Sequence, residues 1–549
     1  RQDSTSGSLH DGVSDAALVS TVTAASSHVR ARVWFTDGPK AIYPEQTHRS
    51  VLLPPALTGV CFSGGGTRSY AATVGQLRGL TATGLINRVG YLSAVSGGAW
   101  AATSYTYYPP TEGIDSDLDL LGAQTDPEEL SLGALSQLDP RSLGFAATGD
   151  FLAALAAARA VGSVGRDAVW ARAVGLTFLS PFGLYDPDQR VSFTLDDSTA
   201  KEIRLRHSSL QHFRFHTVRA AAYRPYLLVH SALNWPSDEP DLTRVNLVGF
   251  EYSPLGIGSG QRLMLRAGGH PAHAVGGGFV EPFAFGSDGP SAGPAADGLV
   301  TLTLPSDLFT LADAIGASSA FSTPDRDLRG YPHATYWPLR GSNSAGTSEV
   351  FTDGGDVENY GLISLLRRGV KAVVVFINTM WPLSVDHDPA NWPRHGAVDP
   401  SLAPLFGAPG TRFSHNRVFP EADYAVVVAG LQAAKRRGDT VMTTTRHVVQ
   451  PNPWWGLTGD TEVTVCWCYN EHVERWSRLL SPPVRRLVQQ GRAGKPDGPF
   501  ARFPHYLTRA QNPGTLIRLT PAQVNLLAHL SCWNVMENQD VLGDVFDLA

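Results

Sequence analysis

Residues 59–68 read GVCFSGGGTR, an apolar run that changes abruptly into three glycines. Helical periodicity then begins at Ser69. Because glycine has no Cβ, this run can form a turn that other residues cannot. The pattern predicts a buried strand, a tight turn and a helix whose N-terminus presents backbone N–H groups. Such a site attracts negative charge, either a phosphate or the developing oxyanion of an acyl transfer.

A second strand–turn–helix pattern follows at residues 91–100, which read YLSAVSGGAW. The apolar run ends at Val95, and Ser96 falls on the predicted tight turn. The glycines after it let the following helix pass close to the strand. A serine held in this way exposes its hydroxyl at the end of a parallel sheet and is a candidate nucleophile. Ala94 stands where the usual pattern has a glycine, and an ordinary Ser-Gly-Gly turn is the alternative.

A candidate base for this serine lies at residues 349–355, which read EVFTDGG. Asp353 closes a short apolar strand, and the two glycines let the backbone turn away from its carboxylate. Downstream, residues 370–377 read VKAVVVFI, a nearly continuous apolar run that is typical of a parallel strand covered on both faces. An Asp-Gly-Gly sequence alone is usually a simple turn. It indicates a catalytic base only because it follows the glycine-turn and serine-turn motifs.

In this order the three motifs resemble the catalytic domain shared by cytosolic phospholipases of the A type and fungal lysophospholipases (phospholipase B), and more distantly the patatins. Two further segments support the resemblance, FEYSP at 250–254 and ASSAF at 317–321. The likeness covers residues 57–380. It implies an α/β fold with a mixed, mostly parallel central sheet flanked by helices, and a lid or cap insertion between the nucleophile and the aspartate.

The resemblance also implies a Ser-Asp dyad without a histidine. Ser96 would attack the ester carbonyl, and Asp353 would take its proton and later activate water. Arg68 matches a family arginine near the lipid phosphate, whereas a local salt bridge on the first helical turn is its alternative role. The oxyanion would be held by glycine N–H groups that follow the two strands, those of Gly64, Gly65, Gly66 and Gly97.

The implied function is a serine acyl hydrolase that cleaves fatty-acyl esters of phospholipids or lysophospholipids through an acyl-enzyme. Two alternatives stay open, a transacylase that uses the same dyad and a non-catalytic lipid-binding or storage protein. The expected partners are the lipid substrate and, transiently, a membrane or micelle surface. We expect no cofactor and no metal.

The candidate nucleophile and base are 257 residues apart, which favours one large domain with an insertion over a row of modules. We therefore predict a polar N-terminal segment over 1–53 and a single catalytic α/β domain over 54–549, with the insertion at about 110–345. Residues 255–299, rich in Gly, Pro and Ala, are interpreted as long loops. Residues 382–549 match the family poorly, and the sequence predicts no role for them beyond completing the fold.

The formal net charge of −6 gives no reason to expect nucleic acid or strong attraction to an anionic membrane. No segment is long and apolar enough to span a bilayer. The chain begins with Arg1, so a processed or truncated form is expected, and the sequence leaves open whether the protein is cytoplasmic, in an organelle or secreted. Cys466, Cys468 and His472 could form a metal trio, but a packed strand face is the simpler interpretation because no fourth ligand has suitable spacing.

Overall fold

The computed structural model describes residues 28–36, 41–48, 51, 57–160, 168–239, 245–266, 272–290, 292–295, 297–305, 307–321, 331–339, 346–410, 413–492, 497–507 and 518–548. Its strands are β1 (His28–Phe35), β2 (Thr58–Phe62), β3 (Tyr91–Val95), β4 (Ser192–Thr194), β5 (Phe215–Thr217), β6 (Tyr226–Trp235), β7 (Asn246–Tyr252), β8 (Ile257–Leu265), β9 (His273–Val280), β10 (Leu299–Thr303), β11 (His333–Tyr336), β12 (Thr347–Asp353), β13 (Ala372–Ile377), β14 (Met442–Val448) and β15 (Glu462–Tyr469).

Its helices are α1 (Pro44–Thr47), α2 (Gly66–Ala82), α3 (Ser96–Tyr107), α4 (Asp117–Leu121), α5 (Leu132–Leu135), α6 (Phe151–Ala160), α7 (Ala168–Phe178), α8 (Asp197–Leu205), α9 (Leu311–Ser319), α10 (Leu362–Arg367), α11 (Glu421–Arg437), α12 (Glu474–Leu479), α13 (Pro482–Arg492), α14 (Pro521–Glu537) and α15 (Gln539–Asp547). No helix within the described ranges is both long and apolar enough to cross a membrane.

A large mixed sheet forms the centre of the molecule and confirms the predicted fold class. Its five central strands are parallel, in the order β6, β3, β2, β13, β15. The other pairings in this sheet, among the strands described, are antiparallel, so the parallel part is smaller than expected. Because parallel strands end at the same edge, the turns after β2, β3, β13 and β15 lie side by side.

The central strands are apolar on both faces because helices cover both. Phe62 and Phe376 point into a core built with α2, α3 and α14, and their rings stack at 5.7 Å. Cys61 and Val375 point the other way, into a core built with α10 and α11. This double burial explains the continuous apolar runs in the sequence. The thiol of Cys61 is a core group, as the sequence suggested.

Two regions fold differently from the expectation. His28–Phe35, within the segment predicted as polar, forms β1 and pairs with β9 and β10. The presumed loops at 255–299 contain β8, β9 and the start of β10. Their glycines allow close strand contact, since a Cβ on Gly258 would lie 2.0 Å from the carbonyl oxygen of Gly278. Glycine in this region therefore marks closely packed strands.

The C-terminal part of the chain completes the sheet and its cover. β15 continues the parallel strands beside β13, and β14 adds an antiparallel edge. α14 packs on α2 so closely that a Cβ on Gly75 would lie 2.2 Å from the carbonyl oxygen of Ala528. The residues for which the sequence predicted no role therefore bury the helix that follows the glycine turn.

Candidate active site

Ser96 stands at the junction of β3 and α3 with a φ of +51°, in the left-handed region that non-glycine residues rarely adopt. Its N–H donates to Oγ of Ser318 on α9 at 2.9 Å. Sparsely populated backbone conformations cost energy and persist where the surroundings enforce them, which is common at functional sites. The strand, the helix and α9 together hold this serine in place.

The sheet register places Asp353 opposite this serine. β3 pairs with β6 as far as His230, and β12 pairs with β6 from Ser231 onward. The opposite edge of β6 is occupied by β7, so β3 and β12 share one edge of β6 and end against each other. Asp353 is the last residue of β12 and Ser96 the first after β3. The two side chains meet because two strands converge on a third.

Oγ of Ser96 donates a hydrogen bond to Oδ2 of Asp353 at 2.9 Å. The other carboxylate oxygen, Oδ1, accepts from the N–H of Gly355 at 2.8 Å. The main-chain N–H of Asp353 donates to the carbonyl oxygen of Ala320, just beyond α9, at 3.0 Å. Both side chains are nearly buried, with 6% of Ser96 and 8% of Asp353 exposed. A hydroxyl with an oriented carboxylate in a protected place is the arrangement that a serine nucleophile requires.

The histidine on the neighbouring strand is engaged elsewhere. Nε2 of His230 lies 2.7 Å from Oγ of Ser93, and this hydroxyl donates to the carbonyl oxygen of Gly361 at 2.6 Å. Nε2 therefore carries the proton that it shares with Ser93. Burial lowers the pKa of His230 to about 4, so the imidazole is neutral at physiological pH.

The glycine turn after β2 packs directly against the Ser96 turn. A Cβ on Gly64 would lie 3.2 Å from Cβ of Ser96, and a Cβ on Gly97 would lie 1.9 Å from the carbonyl oxygen of Gly66. α2 begins at Gly66 and α3 at Ser96, so two helix N-termini converge beside the hydroxyl. The N–H of Gly64 donates to the carbonyl oxygen of Asn359 at 3.0 Å, so this donor is already used. An oxyanion role for Gly65, Gly66 and Gly97 stays a prediction.

The sequence predictions include no role for Asn359, yet its side chain lies between the glycine turn after β2 and the turn after β12. Its Oδ1 would be 2.3 Å from a Cβ on Gly64 and 2.7 Å from a Cβ on Gly355. Both glycines are thus needed to make room for this amide. In the sequence it stands out only through the family resemblance, as the asparagine six residues after Asp353.

Arg68 lies on the first turn of α2, buried against the glycine turn. A Cβ on Gly65 would lie 2.4 Å from its Nη2. Its Nε donates to the carbonyl oxygen of Asn378 at 3.0 Å and its Nη1 to that of Tyr506 at 2.7 Å. The guanidinium therefore joins the ends of β2 and β13 to the C-terminal part of the chain. Phosphate binding by Arg68 stays a prediction.

Fold comparison with solved structures finds human GIVD cytosolic phospholipase A2. The similarity covers 90% of this chain and 60% of that one, with 14% identity and a TM-score of 0.43. Two further structures of the same human enzyme match with 15% identity and a TM-score of 0.39. One contains methyl gamma-linolenyl fluorophosphonate, and the other contains that inhibitor together with terbium chloride. The chain thus spans about three fifths of the length of the protein it matches. No family model and no curated protein sequence matches.

The three residues weighed as a metal trio are not brought together. The thiols of Cys466 and Cys468 lie 3.8 Å apart along β15, whereas Nε2 of His472 lies 2.9 Å from Oγ of Ser477. Within the described ranges, no group of three or more His, Cys, Asp or Glu side chains could hold a metal ion. The cysteine pair belongs to the packed strand.

Replacing Ser318 by alanine is expected to lower the reactivity of the candidate nucleophile Ser96, and with it kcat, about tenfold with little change in KM, because the buried N–H of Ser96 loses its acceptor. Steady-state kinetics and the rate of labelling by a fluorophosphonate should fall together. Ser319→Ala is the matched control, since the Ser319 hydroxyl donates to the carbonyl oxygen of Ile315 within its own helix. A variant Ser318→Thr that restores kcat would support the positioning role, and an unchanged kcat in Ser318→Ala would contradict it.

Glu358 lies buried five residues after Asp353 and accepts hydrogen bonds from the N–H groups of Tyr360 and Ile363. Burial raises its pKa from 4.5 to about 7, although these backbone donors act in the opposite direction. Between these pH values the folded protein keeps a proton that the unfolded chain has lost. Folding stability should therefore fall as pH rises through this window, by about 3 kcal/mol from this group.

The variant Glu358→Gln should lack this contribution. We expect the difference in the free energy of unfolding between wild type and variant to change by about 3 kcal/mol from pH 4.5 to pH 7.5, measured by urea denaturation. Glu462→Gln, at an exposed position on β15, controls for the substitution itself. Parallel pH curves for wild type and Glu358→Gln would contradict the assignment.

Proposed function

We propose that this protein is a serine acyl hydrolase that cleaves fatty-acyl esters of phospholipids or lysophospholipids. The observation that carries the proposal is the hydrogen bond of 2.9 Å from Oγ of Ser96 to Oδ2 of Asp353. It lies at a positive-φ turn, beside two helix N-termini and a buried arginine. An acyl transfer needs a nucleophile, a proton acceptor and an electropositive site for the oxyanion, and the residues that we propose for these three roles lie side by side.

In the first half-reaction, Oγ of Ser96 attacks the ester carbonyl carbon and its proton passes to Oδ2 of Asp353. The carbonyl oxygen becomes an oxyanion, which the helix N-termini and glycine N–H groups would stabilise. The C–O bond to the alcohol then breaks, and Asp353 returns the proton to this leaving oxygen. An acyl ester on Ser96 and a free alcohol result.

In the second half-reaction, water attacks the acyl ester and gives one proton to Asp353. The tetrahedral intermediate collapses, the bond to Oγ breaks, and the proton returns to Ser96 as the fatty acid departs. The bond from the N–H of Gly355 to Oδ1 would keep Oδ2 turned toward the serine in both halves. One carboxylate thus acts first as base and then as acid.

The choice of a phospholipid substrate is supported by the resemblance of the motifs and by the local charge. Backbone N–H groups at a helix N-terminus and an arginine guanidinium both favour a phosphate group. Arg68 and the start of α2 meet this description beside the proposed nucleophile. The protected position of the dyad suits an ester attached to an apolar chain.

The test combines covalent labelling with product analysis. A fluorophosphonate should label wild-type protein at Ser96, located by mass spectrometry, and should not label Ser96→Ala. Wild type should release free fatty acid from a mixture of phospholipids and lysophospholipids, and Ser96→Ala should not. New acyl esters in the presence of an added alcohol would favour a transacylase instead. Absence of both labelling and products would leave the lipid-binding alternative.

A further inference from the structure

Positive charge gathers on the surface around α12 and α13. The described residues 474–492 and 497–502 contain six arginines against Glu474 and Asp497, a net +4 in a chain of net −6. A second segment, the end of α11, contributes Arg436 and Arg437. The two segments touch, since the N–H of Arg475 donates to the carbonyl oxygen of Gly438 at 2.9 Å. The protein therefore has a local basic surface although its net charge is negative.

Nearby carboxylates neutralise this surface only in part. Asp439 pairs with Arg437 at 3.1 Å and Glu537 pairs with Arg475 at 2.6 Å. Nε of Arg478 and Nη1 of Arg492 lie 3.5 Å and 3.7 Å from different oxygens of the same Glu474 carboxylate. Their side chains are 74% and 43% exposed, so solvent weakens both ion pairs. Arg486 is exposed on the same helix pair. We call Arg436, Arg437, Arg478, Arg486 and Arg492 the basic face.

The basic face lies at the edge of the sheet that carries Ser96. α12 begins five residues after the end of β15, and β15 is parallel to β13, β2 and β3. Three strand spacings separate β15 from β3, a distance of about 14 Å. The segment after α13 returns to this edge, where the carbonyl oxygen of Tyr506 accepts from Arg68. The basic face and the proposed site therefore lie toward the same edge of the sheet.

Exposed leucines accompany the arginines. Leu479 ends α12, and Leu507 follows Tyr506; both side chains are exposed. Leu132 at the start of α5 is also exposed. It lies two residues after Leu130, whose carbonyl oxygen accepts from Oγ of Ser481, just after α12, at 2.5 Å. Arginines that can meet phosphates, next to apolar side chains that can enter the headgroup region, are typical of a surface that lies on a membrane.

We propose that the basic face docks on an anionic phospholipid surface and presents the adjacent edge of the sheet to its lipids. The inference rests on the proposed function, because a lipid hydrolase must meet its substrate at such a surface. Each cationic side chain near an anionic membrane adds to the attraction, and the leucines favour lipid over a nucleic acid, which offers no apolar layer. This local charge overrides the expectation drawn from the net charge of the chain.

Vesicle binding tests the proposal without catalysis. The full chain carrying Ser96→Ala is mixed with phosphatidylcholine vesicles, or with vesicles in which phosphatidylserine makes up about a third of the lipid, and bound protein is measured by sedimentation. We expect binding to the anionic vesicles to be at least about tenfold tighter and to weaken as salt is raised. Adding Arg478→Glu and Arg486→Glu should remove that preference.

The matched control adds Arg214→Glu and Arg446→Glu, two exposed arginines outside the basic face. Arg446 pairs with Thr464 near the start of β15, at the opposite edge of the sheet. This control should bind like its parent. If the test variant fails to fold, Arg478→Gln with Arg486→Gln replaces it.

Three results would overturn the proposal. They are equal binding by test and control variants, equal binding to both kinds of vesicle, and salt-sensitive binding to a single-stranded oligonucleotide in place of vesicles. Cleavage of a water-soluble ester by wild-type protein is scored separately, since it reports on the dyad alone. A failure of the proposed function and a failure of the docking surface are thereby distinguished.

Discussion

Asp353→Asn is expected to lower kcat/KM for fatty-acyl ester cleavage by about 10³- to 10⁴-fold while the protein remains folded. An amide cannot take the proton of Ser96 at neutral pH. Its oxygen can still accept from the N–H of Gly355, so the turn after β12 should survive. Initial rates on a lysophospholipid, together with the thermal unfolding temperature, would measure both parts of this expectation.

Asp399→Asn supplies a matched control for Asp353→Asn. Asp399 is likewise a buried carboxylate and accepts from the hydroxyl of Tyr360 at 2.7 Å, a bond that asparagine can also accept. Its rates should stay within a few-fold of wild type. The effects of substitutions on the catalytic rate are not additive when the residues act as one unit. The double variant Ser96→Ala with Asp353→Asn should therefore be no slower than Ser96→Ala alone. Wild-type rates in Asp353→Asn would exclude the dyad.

Gly97→Ala is expected to lower the free energy of unfolding by about 2–4 kcal/mol and ester cleavage by about 100-fold. A Cβ at this position would lie 1.9 Å from the carbonyl oxygen of Gly66, which belongs to the backbone and cannot rotate away. The glycine turn must therefore shift, and the donors beside Ser96 shift with it. Urea denaturation and steady-state kinetics measure the two effects.

Gly133→Ala is the matched change for this test. Gly133 also lies in a helix, but a Cβ added there would have Oγ of Ser131 as its nearest neighbour, at 3.9 Å, which is an ordinary contact distance. Alanine has the higher helix propensity, so this variant should be as stable as wild type or slightly more stable. If Gly97→Ala proved as stable and active as Gly133→Ala, the inference that Gly97 packs directly against the carbonyl oxygen of Gly66 would be wrong.

Local patterns in the sequence predicted the centre of the fold because each piece carries its own physical signal. Apolar runs followed by glycines mark β2, β3 and their turns, and parallel strands then share an edge. The sequence could not show that β12 ends against β3, since this depends on their common partner β6. It therefore proposed Ser96 and Asp353 as partners through resemblance, whereas the contact itself follows from sheet register.

Two of the contacts that sequence reasoning missed join residues far apart in the chain. Ser318 reaches Ser96 across 222 positions, and Tyr506 reaches Arg68 across 438. Neither Ser318 nor Tyr506 stands in a local pattern that indicates such a contact. The strands β8 and β9 were missed for another reason: a high glycine content is also typical of loops. Close packing and chain flexibility both select glycine, and only the structure distinguishes them.

The bond between Arg68 and Tyr506 has a consequence for biosynthesis. The guanidinium is made before Ser96 and Asp353, whereas its acceptor, 438 positions further along the chain, is made after both of them. β15, which closes the parallel part of the sheet, is also late, and such non-local pairings form slowly. A nascent or interrupted chain would hold the serine and the aspartate without the support of their surroundings. The surroundings of Ser96 and Asp353 would thus be completed only after the segment that carries Tyr506 has been made.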